Sequence, residues 1–290
     1  MPGFFFQVVG HEIVGIVERV GAGVPHLTSS PASATIRTGD RVGIGAQSGS
    51  CLRSDCEACA DGQESYCTRM TGTYNGRYPD KSKSFGGYAA RWRGPAHFAV
   101  KIPDTLPSAE AAPLLCGGVT VFAPLRKWGL ALGADRVIAI SRSSSKKADA
   151  MQGLEADAFI ATGEEKGWAK THSRSIDILL STVSGPGMPL GQYLRLLKRD
   201  GVFIQVGAPE DALPPLMAFS LIQKSVKITG SNIGSPEDIR QMLALAAEKR
   251  VLPWIQKRPM EEVNAALTDM HDGKARYRYV LENGEKQAKL

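Results

Sequence analysis

Four of the five cysteines fall within residues 51–67, spaced Cys51-x4-Cys56-x2-Cys59-x7-Cys67. Thiolates at this spacing can wrap one tetrahedral ion from a single loop. Four of them close the coordination sphere of zinc and leave no position for a substrate, so the loop reads as a structural metal site. Disulfides are the other common use of clustered cysteines. No basic segment precedes the short Phe4-Phe5-Phe6 patch, so no secretion signal is expected that would favour them. Zinc ribbons of nucleic-acid binders pair two separated CxxC knuckles, whereas here all four thiols share one loop.

Three further groups could do chemistry. His11 and Glu12 follow Gly10, and Cys116 lies in an apolar run; taken singly, these are ordinary turn and core residues. The apolar run Val137 to Ile140 leads into Ser141-Arg142-Ser143-Ser144-Ser145-Lys146-Lys147. In dinucleotide folds an acid at this place accepts the ribose 2′-hydroxyl. Hydroxyls and cations suit a 2′-phosphate instead, with Ser141 and Arg142 as contacts and Lys146 reinforcing them. A solvated basic loop is the plainer reading of the same residues.

These groups need a scaffold, and 290 residues imply two domains. The first hundred residues read as β-rich, with strands at Ile13 to Val20 and Arg41 to Gly45 and a turn at Thr38-Gly39-Asp40. From about residue 135 the texture becomes α/β. Short strands are expected at Val137 to Ile140, Phe159 to Ala161, Asp177 to Thr182 and Val202 to Gly207, as in a parallel sheet. Ser235-Pro236-Glu237-Asp238 supplies an N-cap, a proline at the first helical position and an acid at N3, ahead of a helix through Ala246. A second helix is expected at Glu261 to Met270, and Arg276 to Leu281 alternates like a last strand returning to the first domain. No apolar run approaches a membrane span, and the net charge of +6 is scattered, so neither a membrane nor nucleic acid is expected as a partner. A cytoplasmic protein is expected.

Five signatures occur in order: Gly10-His11-Glu12, Gly39-Asp40-Arg41-Val42, the cysteine loop, Gly86-Gly87-Tyr88-Ala89, and Pro113-Leu114-Leu115-Cys116-Gly117-Gly118-Val119-Thr120. Together they resemble the zinc-dependent alcohol dehydrogenases of the medium-chain dehydrogenase/reductase family, in the cinnamyl alcohol dehydrogenase-like branch. The likeness runs from about Val8 to the end. It implies an α/β fold with a GroES-like catalytic domain (residues 1–112), a partial Rossmann-type NADP-binding domain (113–252) and a return to the first domain (253–290). The x4 spacing after Cys51, where x2 is commoner, is a departure that a loop can absorb.

By this resemblance His11 and Cys116 are ligands of a catalytic zinc, with Glu12 beside the metal as an occasional ligand or as a partner standing behind the ligands. Thr120 packs near the nicotinamide. Gly207-Ala208-Pro209 and Ser231-Asn232-Ile233 line the cofactor, and Arg278 takes a pyrophosphate-contacting position or else faces solvent on the last strand. The implied chemistry is Lewis-acid assistance from zinc with an open position, with hydride exchanged between NADP(H) and a primary alcohol or aldehyde, possibly aromatic. A homodimer formed through the cofactor-domain sheet edge also follows from the likeness.

Two absences qualify this reading. The family's first zinc-ligand cysteine lies upstream of Gly-His-Glu, and the chain begins ten residues before His11, so one ligand and the first strands are expected to be missing. Internally, Pro124 to Gly129 runs straight into Leu130 to Asp135, where the family places a strand, a glycine-rich turn and most of a helix. No GxGxxG occurs; Gly43-x-Gly45-x3-Gly49 and Gly185-x-Gly187-x3-Gly191 only approach it. The lost strand would be central in the usual order, so the two halves of the sheet should fail to pair. A non-catalytic zinc-binding remnant is the rival expectation.

Overall fold

The computed structural model describes residues 7–26, 35–128, 133–183, 185, 187–208 and 212–284. Phe4 to Phe6, the junction residues Gly129 to Leu132, Pro186 and Pro209 lie outside them. There are two compact units, residues 1–123 with 232–290, and residues 124–231.

In the first unit β1 (Ile13–Ile16) pairs antiparallel with β2 (Arg41–Ile44). β1 is shorter than the expected Ile13 to Val20 because the chain turns off the ladder: the Val17 N–H donates to the Asp40 carbonyl and the Gly39 N–H to that of Val17. Gly39 takes φ +91°, which a residue with a Cβ resists. β3 (Gln47–Gly49) and β4 (Thr71–Gly72) form a narrow antiparallel ribbon, and the cysteine loop with its single helical turn α1 (Glu57–Ala60) connects them. β5 (Ala99–Lys101) completes the sheet order β1-β2-β5.

A helical stretch follows, Ser108–Lys127, made of α2 (Ser108–Pro113), a π-helical turn (Leu114–Gly118) and α3 (Val119–Lys127). Its length and hydropathy match a membrane span, which corrects the expectation that no segment does so. Its Ala111, Leu114, Leu115 and Val119 are buried in the core of the first unit with Val100, Ile239 and Leu243. Each such large side chain contributes about 1.5–3 kcal/mol on leaving water, so the stretch serves as a core helix.

Among the described residues the second unit holds five parallel-paired strands. β6 (Ile138–Ser141) pairs with β7 (Ala158–Ala161). Past the short helix α4 (Trp168–Thr171), β8 (Ile176–Ser181) leads through α5 (Leu190–Leu196) to β9 (Leu197–Gln205), and α6 (Phe219–Ile222) leads to β10 (Lys227–Gly230). Among the described residues these strands form two sheets, β6-β7 and β10-β9-β8. A doubly wound sheet in the order 3-2-1-4-5-6 gives this division when strand 1 is removed. Ile138, Ile140 and Ile160 of one sheet share a core with Leu179 and Phe203 of the other.

The chain then returns to the first unit. Ser235 caps α7 (Pro236–Lys249): its hydroxyl accepts from the Asp238 N–H, and the Asp238 carboxylate accepts from the Ser235 N–H. β11 (Ile255–Pro259) and β12 (Arg278–Glu282) pair in parallel around α8 (Val263–His271). The expected divisions at 112 and 252 lie outside those observed. The reason is packing: Val119 and Phe122 on one side, and Ile239, Met242 and Leu243 on the other, belong to the first unit's core.

Candidate metal and cofactor site

The Gly-His-Glu segment is set in place by the Gly-Gly-Tyr segment. N–H groups of Gly86, Gly87 and Tyr88 donate to the carbonyls of Val8, Gly10 and Val9 at 2.7, 2.8 and 2.9 Å. Glycine is required at this crossing. A Cβ on Gly86 would lie 2.3 Å from the Val9 oxygen, and one on Gly10, at φ +94°, would lie 2.6 Å from the Tyr88 ring. Next along the chain, the His11 imidazole stacks on the Tyr74 ring, 5.6 Å between centroids and 9° from parallel. Burial, then the charge of Arg278, holds the His11 pKa below the usual range, which favours the neutral imidazole that a metal ligand must be.

Cys116 comes from the π-helical turn, a widened geometry that recurs at functional sites. Burial, then the neighbouring Glu12 carboxylate, pushes its thiol up to about 11, while a bond with the Thr120 hydroxyl works the other way. Glu12 accepts from the Gly117 N–H at 3.2 Å and lies 3.6 Å from the Arg278 guanidinium. Burial raises its pKa, and Arg278 and the Gly117 N–H oppose that rise. One ligand atom each from His11, Glu12 and Cys116 lies within 4.8 Å of the others. Three such ligands with a fourth position open is the donor set of a catalytic zinc.

The four thiols of the loop also come together. Cys51 lies 3.6 Å from Cys59 and from Cys67, and Cys56 lies 4.0 Å from Cys67. Zinc with four sulfurs at 2.3 Å has tetrahedron edges of about 3.8 Å, so the thiols have the geometry of a closed zinc site. Their charges demand a cation. Burial pushes Cys59 up to about 12, whereas at Cys67 the effect of burial is outweighed by N–H donors of Cys51 and Arg69, which bring it to about 7. A thiolate at Cys59 is therefore not sustained at neutral pH without a metal to neutralise it.

The residues expected at the cofactor divide between the units. In the second, Ser141 ends β6 and its carbonyl accepts from the Thr162 N–H; Arg142 and Lys146 are exposed on the turn that follows. That turn is braced by Glu164, whose carboxylate accepts from the Ser144 N–H at 3.0 Å. Gly207 follows β9, and Ser231 follows β10 with its N–H on the Gln205 carbonyl. In the first unit are Thr120 and Arg278, near Cys116 and Glu12 respectively, and Ile233 at the foot of α7.

Sequence reasoning missed Tyr74 as the partner of His11, and the buried Glu64–His97 pair (2.8 Å) behind the cysteine loop. No local spacing signals either contact.

The family model described as alcohol dehydrogenase GroES-like domain matches residues 1–104, and that of the zinc-binding dehydrogenases matches residues 127–248. A probable cinnamyl alcohol dehydrogenase 6 from Oryza sativa subsp. japonica is 34% identical over 304 residues, covering 96% of this chain and 80% of the relative. That alignment is longer than the 290-residue chain and so opens gaps in it. An NADP-dependent alcohol dehydrogenase 6 from Saccharomyces cerevisiae is 35% identical, with 97% and 81% covered. Among solved structures, a cinnamyl alcohol dehydrogenase from Sorghum bicolor superposes with a TM-score of 0.81 at 31% identity, over 94% of this chain and 81% of that one. A GroES-like domain joined to a Rossmann-type α/β domain, with the five signatures in order, places this chain in the zinc-binding alcohol dehydrogenase family, in its cinnamyl alcohol dehydrogenase-like branch.

Proposed function

We propose that this chain is an NADP(H)-linked oxidoreductase of primary alcohols and aldehydes, aromatic ones included, whose turnover is impaired by the gap in its nucleotide-binding sheet. The observation that carries the reading is the convergence of the adjacent pair His11 and Glu12 with Cys116, from a distant segment, within 4.8 Å. Bound zinc supplies Lewis acidity toward an alcohol or carbonyl oxygen. Gly117 and Arg278 fix the Glu12 carboxylate beside that position, and the Thr120 hydroxyl orients the Cys116 sulfur. In the net reaction an aldehyde takes up a hydride from NADPH and a proton from solvent. Arg142, with Ser141 and Lys146, receives the 2′-phosphate; Gly207, Ser231 and Ile233 line the cofactor, and Arg278 meets its pyrophosphate. The yeast relative, named as NADP-dependent, supports the cofactor choice, and the rice relative supports the aromatic substrate.

The divided sheet supports the impairment: among the described residues no strand joins β6 to β8, and with no glycine turn in the sequence there, the backbone N–H groups that would neutralise a pyrophosphate are wanting. The same division favours a second reading, a non-catalytic zinc-binding remnant. Both are tested by NADPH oxidation with aromatic and aliphatic aldehydes at saturating zinc. We expect measurable turnover well under the ordinary range of about 1–1000 per second. Turnover inside that range overturns the impairment, and a folded, zinc-bearing protein without turnover favours the remnant. β10 forms the outer edge of its sheet, and Met217, Phe219, Ile222 and Ile228 of the same unit are exposed; this apolar surface supports a homodimer, which sedimentation would test.

A further inference from the structure

Ile233 has φ +42°, a left-handed conformation that crowds the backbone of a β-branched residue. Such a turn persists only where its surroundings over-determine it. On its C-terminal side the reciprocal bonds of Ser235 and Asp238 fix the start of α7. On its N-terminal side the holding falls to Asn232. The Asn232 side-chain amide donates to the Ser65 carbonyl at 2.7 Å, and its backbone N–H donates to the Tyr66 hydroxyl at 3.4 Å.

Ser65 and Tyr66 lie in a 3-10 turn, Glu64–Tyr66, that runs directly into Cys67 of the thiol cage. The turn is itself pinned. The Glu64 carboxylate meets His97 at 2.8 Å, and the Glu64 carbonyl accepts from the Gln47 side-chain amide at 2.8 Å. Two segments 167 residues apart in sequence are thus bonded at a point adjoining a metal cage on one side and a strained turn on the other.

We propose that Asn232 is a positioning residue that ties the turn at Ile233 to the tetrathiolate loop, so that zinc in the loop and a nicotinamide cofactor at Ile233 raise each other's affinity. This rests on the cofactor reading given above. The physical basis is shared ordering. A cage fixed by its metal holds Glu64–Tyr66 and, through Asn232, the turn; a cofactor seated on that turn restrains the cage in return, and such coupling is reciprocal.

The test uses the full chain carrying the zinc that survives dialysis against chelator. Zinc release to a metallochromic chelator is timed with and without NADPH, and NADPH binding is followed separately by its fluorescence. Asn232→Ala removes the amide, and Asn232→Asp keeps its size but removes the donor. One hydrogen bond corresponds to about fivefold. NADPH should slow release from the wild type about fivefold and leave both variants unaffected, and both variants should release zinc about fivefold faster without cofactor. Bound NADPH that leaves wild-type release unchanged overturns the coupling, as do variants that respond like the wild type. Absence of NADPH binding overturns the cofactor reading and the coupling with it. Unchanged cofactor-free release from the variants overturns the tether itself.

Discussion

The imidazole of His97 and the carboxylate of Glu64 lie 2.8 Å apart, with 10% and 8% of their side chains exposed, behind the turn that delivers Cys67 to the thiol cage. A buried carboxylate deprived of its partner is costly, and so is the converse. Replacing Glu64 with Ala should cost about 2–4 kcal/mol in urea unfolding, and replacing it with Gln, which keeps a hydrogen-bonding oxygen, should cost less. A loss below about 0.5 kcal/mol for Glu64→Ala would mean that the pair does not help hold the loop.

Metal content should separate the two donor sets. The tetrathiolate loop should keep one zinc per chain through chelator dialysis, and Cys59→Ser should lose it. The set of His11, Glu12 and Cys116 should bind a second ion more weakly, and Glu12→Ala should weaken it further. Zinc counted per chain after dialysis at graded chelator strength measures both.

Lys224 is buried and caps the end of α5, its ammonium donating to the carbonyls of Leu194 and Leu197 at 2.7 Å and of Arg195 at 3.3 Å. Lys224→Met should destabilise the chain by about 1–3 kcal/mol, because three carbonyls lose their donor. Burial, then the charges of Arg174 and Arg195, lowers the Lys224 pKa from its ordinary 10.5. Between that lowered value and 10.5 the unfolded chain binds the extra proton. The contribution of Lys224 to stability therefore rises with pH across that window. Wild type minus Lys224→Met, compared in urea melts up to pH 10.5, should show the rise; a flat difference would refute it.

Arg142→Ala should weaken NADPH binding by about 1.5–3 kcal/mol, the scale of a charge-assisted bond, and leave NADH nearly untouched. Fluorescence titration with both cofactors reads this directly. Equal losses would reject a 2′-phosphate contact at Arg142.

Much of this architecture is legible residue by residue. Short runs rich in Ile, Leu, Phe and Ala located β6, β7 and β8 within a residue or two, because strands packed against a core need mostly apolar side chains. The Ser235 capping box fixed the start of α7 for a local reason, a reciprocal bond over three residues. β9 begins earlier than expected, at Leu197, because Leu197 pairs with Ile176 before the ladder resumes at Val202; Lys198-Arg199-Asp200 bulge out of the register between them, exposed, and their charges disguise the start of the strand. The grouping of His11, Glu12 and Cys116 became legible only through resemblance, since Glu12 and Gly117 are 105 residues apart. The bond from Asn232 to Ser65 and the stacking of Tyr74 on His11 gave no signal, because these partners are set by loop trajectories and not by any period in the sequence; Asn232 entered only by resemblance, as backbone lining the cofactor.

β6 and β8 each pair along one side, so among the described residues each presents a second edge with no neighbouring strand. Open edges of this kind template pairing with other extended chains. At the concentrations reached during expression they favour aggregation over refolding whenever the second unit opens. The abundance of this protein in a cell should therefore depend on how quickly chaperones and proteases reach those edges, and coexpression of a chaperone should raise its soluble yield more than any change at the metal ligands.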